Sequence, residues 1–307
     1  MLYHVLKVAR EAEASRHVVV VGYRGGQIVS EFSSCGDVEF AEQTERLGTG
    51  HAMMTTRGRF EGFAGDILVL YGDTPLLMAP TLKKLVEWHR HQDAAVTILT
   101  AEMENPAGYG RILRYEDNRV QGIVEEKNAN RYERAIREIN TGTYCFDAGH
   151  LFQSLEKITR DAVQDEYYLT DCVRILVDEG YRVEAVLTED STESIGVNTR
   201  VQLAQAERIL RRRILERHLL SGITILDPST CYVDDEVEIG KDTILFPGTT
   251  ISGASKIGRG CQIGPNTQIV SSQVGDGAAV NASYLSNVVV PPGEKVGPFA
   301  TLRKDEE

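Results

Sequence analysis

The 307-residue chain has few cysteines and too little positive charge to balance its acids. Its five cysteines, Cys35, Cys145, Cys172, Cys231 and Cys261, are odd in number, widely scattered and form no C-x-x-C pair. That argues against both a disulfide framework and a zinc site, and the expectation is reduced, mostly buried thiols. With 33 Lys and Arg against 45 Asp and Glu, the formal charge is −12. Phosphate polymers and anionic surfaces are bound through a basic field, so neither nucleic acid nor a membrane is expected as the main partner. No run approaches the roughly 18 consecutive apolar residues of a spanning helix. The opening MLYHVLKVAREAEASR carries charges throughout in place of a signal-peptide apolar block. A soluble cytosolic protein is expected.

What is present divides into two patterns. The length and an apolar share of 42% suffice for one large or two ordinary domains. Up to about residue 200, helical and strand-like periods alternate. Leu2, Val5, Leu6 and Ala9 make an i, i+3, i+4, i+7 stripe before the β-branched run HVVVVG at 17–22. DILVLYGD at 66–73 reads as a buried strand, TLKKLVEWHRH at 81–91 as a helix and AAVTILTAEM at 94–103 as a further strand. This alternation predicts an α/β fold with a mainly parallel sheet covered by helices. The first helix starts at Met1 with neither a capping residue nor a feeding strand, so a preceding element is expected. Residues 198–220 predict a long connecting helix with Gly222 just past its end. Its Arg208, Arg211, Arg212, Arg213 and Arg217 are read as a solvated or interdomain face in so acidic a chain.

From residue 222 onward the helical period disappears. Val233, Ile239, Leu245, Ile251, Ile257, Ile263 and Ile269 recur at a strict six-residue spacing, several followed by glycine. After a slip the period resumes through Val274, Val280, Val290, Val296 and Leu302. Each hexad would form one side of a coil in a parallel β-helix and point its aliphatic residue inward. Such a solenoid exposes strand edges at its last coil unless something covers them, and TLRKDEE offers no evident cap, so this end also reads as cut. The expected division is 1–197, a nucleotide-binding α/β domain; 198–221, a connecting helix; and 222–307, the hexapeptide β-helix.

Several residues invite chemistry. Tyr71-Gly72-Asp73 ends a buried strand, where ligands of open α/β sheets bind. The Asp73 carboxylate suits a hard cation such as Mg²⁺, or else it simply begins the G-D-T-P turn. Asn198 offers a second oxygen, although Asn before a helix is first of all a cap. Gly48-Thr49-Gly50 precedes an apolar helical stretch whose backbone amides suit a nucleobase edge or an anion. His51 reads as an ordinary structural histidine. AGYGRI, GIVEEKNA and EINTGTYCF mix Gly, Glu and Asn in a way that fits a neutral polyhydroxyl ligand, or mere loop polarity.

Taken together, ERLGTGHAM, LVLYGDTPLL, GYGRI, GIVEEK, EINTG, DEYYLTD, GVNTRVQLAQAERILRRR and the hexads follow one another in a known order. The chain resembles the bacterial bifunctional family that joins N-acetylglucosamine-1-phosphate uridylyltransferase to glucosamine-1-phosphate acetyltransferase. The resemblance implies a Rossmann-like nucleotidyltransferase sheet, a connecting helix and a left-handed β-helix that assembles as a homotrimer. It implies that Gln43, Gly48 and Thr49 recognise uracil and that Tyr71, Gly72 and Asp73 line the active site. Asp73 and Asn198 would hold Mg²⁺, and Gly110, Glu125, Asn140, Tyr168 and Thr170 would hold the N-acetylglucosamine portion. The implied reaction makes UDP-N-acetylglucosamine and pyrophosphate from UTP and N-acetylglucosamine-1-phosphate, by positioning and charge neutralisation without a covalent intermediate.

The sequence departs from that family in three places. The family's first strand and L-x-x-G-x-G-T-R-M loop, which supply phosphate-binding donors, have no counterpart, so impaired catalysis is expected. Only Arg303 matches the acetyltransferase site, and an incomplete acetyl-transfer half is expected. Asp165 stands where the family usually has Gly, facing either phosphate or water. Two alternatives accompany the uridylyltransferase reading: a non-catalytic trimeric assembly module, and a nucleotidyltransferase for another sugar phosphate.

Overall fold

Met1–Gln202 and the residues from Leu203 onward form two units, described for residues 1–162 and 164–304 in a computed structural model. In the first unit, the apolar stripe becomes α1 (Leu2–Glu11), which buries Val5, Leu6 and Ala9. There follow β1 (His17–Val21), α2 (Gly25–Phe32), β2 (Val38–Glu42), α3 (Thr49–Met54), β3 (Asp66–Val69), α4 (Ala79–Gln92) and β4 (Val96–Glu102). Next come β5 (Arg111–Arg114), β6 (Val120–Val124), β7 (Glu138–Asp147), α5 (Ala148–Leu155), α6 (Thr170–Asp178) and β8 (Val183–Leu187). The helix α7 (Arg200–Leu220) crosses from one unit to the other.

β1 and β2 pair in parallel as a two-stranded sheet. The larger sheet has the order β6-β5-β7-β4-β8, with β3 also bonded to β7. β3, β4, β5 and β8 run one way, so direction is mostly shared, as a crossover-rich α/β chain requires. Its ladders are nevertheless mostly antiparallel, because β7 runs against β3, β4 and β5. The sequence carries no signal for that reversal: a strand buried on both faces is apolar in either direction.

β7 lies along β4 over nearly its whole length, while β5 reaches it at Ile139 and β3 between Tyr144 and Asp147. Asn140–Thr143 therefore lie between the two strands that share one edge of β7. The β4 register shifts between Leu99 and Thr100 at the same level, a bulge that re-aims the side chains of the longer strand.

Packing explains the remaining elements. β4 is buried from Val96 to Ala101, as expected of a strand covered on both faces. α4 turns Leu82 and Leu85 inward and has Pro80 in its first turn, where the missing N–H costs nothing. Its N-terminus is satisfied from far along the chain. The Met78 N–H donates to Glu193 Oε2 at 2.9 Å and the Thr81 hydroxyl to Glu193 Oε1 at 2.8 Å. Glu193 is fully buried, a place a carboxylate tolerates beside helix amides. A cleft of about 1430 Å³ opens between β1 and β3, walled by Val18, Val20, Ile67 and Val69 together with Leu2 and Met53.

In the second unit the hexads close into the expected coils. Val233, Ile251, Ile269, Leu285 and Leu302 stack on one face through parallel ladders. Ile239, Ile257, Val274 and Val290 form the second face, and Ile225, Leu245, Ile263, Val280 and Val296 the third. The slip after Ile269 shortens later coils without breaking a stack. Inner corners take small polar residues whose hydroxyls satisfy backbone groups. Thr243 donates to the Gly258 carbonyl at 2.8 Å and accepts from the Cys261 N–H at 3.0 Å. Ser255 donates to the Ser252 carbonyl and accepts from Ser272 N–H in the same manner. Ile214 and Leu215 of α7 join this core, while Arg211 stacks on Tyr232 at 4.1 Å and Arg217 pairs with Asp235 at 2.9 Å. Those two arginines of the basic helix thus serve packing within their own unit.

Cys145, Cys172, Cys231 and Cys261 are buried and all five cysteines are unpaired, with burial pushing the Cys172 thiol up to about 12. Among the described residues no helix is long and apolar enough to cross a membrane. The coil corners are intolerant of bulk: a Cβ on Gly258 would lie 2.6 Å from Asp276 N. Gly258→Ala should therefore destabilise the second unit by about 1–3 kcal/mol. Urea unfolding followed by far-UV circular dichroism should shift, while fluorescence of Trp88, the single tryptophan, reports an unchanged first unit; an unaltered dichroism midpoint would count against the corner packing.

Candidate active site

The edge of β7 between β5 and β3 gathers most of the sequence-predicted residues. Pairing of Arg111 with both Val124 and Ile139 sets Gly110 opposite Glu125 and Asn140 in one row across three strands. The Asn140 N–H donates to the Gly110 carbonyl at 2.9 Å. The Asn140 side chain is pinned at both ends, its Nδ2 donating to the buried Tyr144 hydroxyl at 2.7 Å and its Oδ1 accepting from Gly142 N–H at 3.1 Å. Gly142 has φ +79°, and a Cβ there would lie 2.5 Å from the Tyr71 ring, so only glycine admits Tyr71 against the row.

Tyr71 continues the chain of contacts. Its phenol is raised well above its ordinary range by burial and by the Glu125 carboxylate, partly offset by a hydrogen bond with Thr49, so at neutral pH it is a hydroxyl donor. Thr49 Oγ1 accepts the Leu169 N–H at 3.0 Å. One residue on, the Thr170 hydroxyl donates to Glu125 Oε1 at 2.8 Å. Glu125 is raised by burial, which that bond opposes. Tyr168, in the same turn, is half-buried and also raised by burial, then by Glu166. Contacts thus run from Gly110 through Asn140, Gly142 and Tyr71 to Thr49, and the Leu169–Thr170 turn carries them on to Glu125.

At the other rim, the G-D-T-P turn closes through Thr74, whose N–H and hydroxyl both donate to the Tyr71 carbonyl. Burial raises the Asp73 carboxylate above its usual range, opposed by a hydrogen bond from its own backbone. The Asp73 carbonyl accepts from the N–H of Val197, the residue before Asn198, at 2.9 Å. The sequence reading made Asn198 first of all a cap. In the structure Thr199 takes that role, accepting from Gln202 N–H at 3.2 Å while Gln202 Oε1 accepts from the Asn198 and Thr199 amides at 2.9 Å each. A carboxylate and a carboxamide oxygen suit a hard divalent cation that takes its other ligands from phosphate and water. Among the described residues no group of three or more His, Cys, Asp or Glu is arranged to hold a metal alone.

Gln43 leaves β2 with its amide fixed, Nε2 lying 3.0 Å from the Gly48 carbonyl and 3.1 Å from His51 Nδ1. His51, read from sequence as merely structural, holds Gln43 in place and stacks on Tyr167. Gly48 has φ +94° with Tyr167 O 2.5 Å from where a Cβ would lie, and the Gly50 amide is spent on the Tyr167 carbonyl at 2.8 Å. The Gly50 amide expected to face a ligand therefore bonds to the protein instead. Gln43, Thr49, Tyr71, Gly72 and Asp73 all line the cleft between β1 and β3. Arg303 ends the last β-helix strand, Thr301–Arg303, in the second unit.

Residues 1–200 match the family described as nucleotidyl transferase. The chain belongs to that family. It is also homologous over nearly its whole length to proteins called bifunctional protein GlmU. Identity is 46% over 305 residues with that of Caldanaerobacter subterraneus subsp. tengcongensis, covering 99% of this chain and 66% of the relative. It is 47% over 299 residues with that of Pelobacter propionicus, covering 97% and 65%, and 44% over 303 residues with that of Enterococcus faecalis, covering 99% and 66%. The chain spans about two thirds of the length of these relatives.

Asp165, the departure from the family pattern, is resolved by its backbone. It has φ +62°, the left-handed region that glycine adopts without cost. Its side chain is 74% exposed and pairs with Arg160 at 2.7 Å. It faces water. Asp165→Gly should change stability by less than about 1 kcal/mol, backbone relief offsetting an exposed ion pair. It should alter nucleotide-sugar affinity by less than about twofold, since the paired carboxylate is solvated; calorimetric titration showing a larger change would place Asp165 in the site.

Proposed function

We propose that this chain carries a uridylyl-transfer site joining UTP and N-acetylglucosamine-1-phosphate into UDP-N-acetylglucosamine and pyrophosphate, in the cytoplasm and with Mg²⁺. The observation that carries the reading is the chain of contacts from Gly110 through Asn140, Gly142 and Tyr71 to Thr49, continued by the Leu169–Thr170 turn to Glu125, with the Asp73–Val197 link at the other rim. Two polar clusters joined by one buried tyrosine fit a ligand with a sugar at one end and charged phosphates at the other.

In this reading the fixed amide of Gln43 and the backbone at Gly48 and Thr49 take the uracil edge. Glu125 accepts sugar hydroxyls, Asn140, with its amide held by Tyr144 and Gly142, meets the N-acetyl side with Gly110, and Tyr168 and Thr170 close over it. Asp73 and Asn198 hold the Mg²⁺, which neutralises phosphate charge when bound. An oxygen of the sugar-1-phosphate bonds to the α-phosphorus of UTP. The bond from that phosphorus to the oxygen bridging to the β-phosphate breaks, and its electron pair leaves with pyrophosphate. The chain's own part is to align the two phosphates and exclude other geometries, with no covalent intermediate.

The half-buried Asp73 sets a pH dependence. Its raised pKa means that burial favours the protonated acid, so the carboxylate detracts from stability above that pKa. A cation must displace that proton, so Mg²⁺-dependent binding should strengthen as pH rises through the raised value and weaken about tenfold per unit below it. Asp73→Asn should cut Mg²⁺-dependent pyrophosphate release about 10²-fold or more, while leaving the melting temperature equal or higher. A variant that retains release, or a chain that binds UDP-N-acetylglucosamine equally with and without Mg²⁺, would refute the metal assignment.

We further propose that the β-helix assembles as a homotrimer. Val289 and Phe299, 73% and 87% exposed in the second unit, support a surface that another copy covers. Sedimentation equilibrium at micromolar concentration should give three times the 34.0 kDa chain mass; a monomer would refute it.

A further inference from the structure

Arg111 is 1% exposed, the largest of the fully buried side chains, and nothing in the proposed reaction uses it. Side chains alternate along a strand, so Arg111 lies on the opposite face of β5 from Gly110, and Glu126 on the opposite face from Glu125. Arg111 Nη2 pairs with Glu126 Oε2 at 2.7 Å, and Nη1 donates to the Tyr109 carbonyl. Its Nε has no hydrogen-bond partner among the described residues. A buried guanidinium with an unspent donor is an expensive way to pack a sheet, so its placement calls for a reason.

The ladder supplies one. β5 begins at Arg111 and β6 ends at Val124, its partner in register. Gly110 and Glu125 are the first residues beyond the paired region, where backbone bonds no longer fix the separation of the two strands. The Arg111 fork spans that opening from behind, holding Tyr109 next to Gly110 and Glu126 next to Glu125. Glu125 in turn holds Thr170. We propose that Arg111, with Glu126, is a positioning residue that fixes the Gly110–Glu125 spacing and thereby makes the site selective for the sugar end of its ligand. This rests on the reading of Gly110 and Glu125 as the sugar side. The planar fork is essential: lysine keeps the charge but cannot hold two partners at fixed separation.

Calorimetric titration of the 307-residue chain with UDP-N-acetylglucosamine and, separately, UTP, both with Mg²⁺, tests the proposal. Arg111→Met should weaken UDP-N-acetylglucosamine about tenfold or more and UTP less than twofold, since a misplacement near 1 Å is costly only where the contact is made. Arg111→Lys should fall between. A purely structural role would lower the melting temperature and weaken both ligands alike. Should Arg111→Met not fold, Glu126→Gln, at a side chain one-third exposed, must show the same selective loss, about threefold or more. Equal losses, or none, overturn the clamp. Failure of the unaltered chain to bind UDP-N-acetylglucosamine while binding UTP overturns the sugar reading itself and the clamp with it.

Discussion

The first unit depends on one strand running the wrong way. β7 opposes β3, β4 and β5, so it bonds β4 along one side and has its other side divided between β5 and β3. Two strands on one edge cannot both pair at the point where they part, and the backbone there must bulge or turn outward. Asn140–Thr143 occupy that stretch. The Asn140 amide is consumed within it, Gly142 takes a left-handed φ, and the Thr141 hydroxyl donates back to the Leu99 carbonyl at 2.7 Å. Of the residues proposed for the sugar end, Asn140 is on that edge and Gly110 bonds to it, while Glu125 and Thr170 bond to each other.

Buried charge then holds the segments that have no ladder of their own. Glu193 reaches the first turn of α4 and also accepts from the Thr188 hydroxyl at 3.2 Å, which fixes the approach to Val197 and Asn198. Arg111 does the equivalent beneath β5 and β6. In both cases a charged group with several bonding atoms ties backbone segments together, across 115 residues for Glu193 and Met78 and across one hairpin for Arg111. A hydrophobic contact would bury as much area but would not fix direction.

The hexads were legible, apart from Ile225 and Leu285, because one inward residue in six projects onto three faces of a coil, and Ile251, Ile257 and Ile263 each land on a separate face. The strands at 66–69 and 96–102 and the helices around them followed from burial and period alone. The direction of β7 did not, since EINTGTYCFD reads alike both ways. His51 is the structural histidine it was read as, but its partner Gln43 could not be named, lying eight residues away across a turn with no period linking them. Taken alone Asn198 read first of all as a cap, and only the resemblance made it a metal ligand, although the following T-x-x-Q, Thr199 to Gln202, is the capping-box pattern. Tyr144 and Arg111 carried no polar signal at all, one lying in an apolar run and the other beside a motif glycine.

The site glycines show why motif reading needs packing beside it. A glycine in a loop near a ligand is commonly taken as room for that ligand. Here a Cβ on Gly48 would strike the Tyr167 carbonyl, one on Gly50 the Ile158 side chain, and one on Gly142 the Tyr71 ring. Their first role is to let the protein close on itself and bring Tyr71, Thr49 and the Tyr167–Thr170 turn into contact. In the proposed site, discrimination among ligands would fall to the few side chains whose polar atoms this packing orients, above all Gln43, Glu125 and Asn140. His51 lies against the Gln43 amide and Tyr144 accepts from that of Asn140, so substitutions at His51 or Tyr144 should act on affinity through Gln43 and Asn140 rather than by contact.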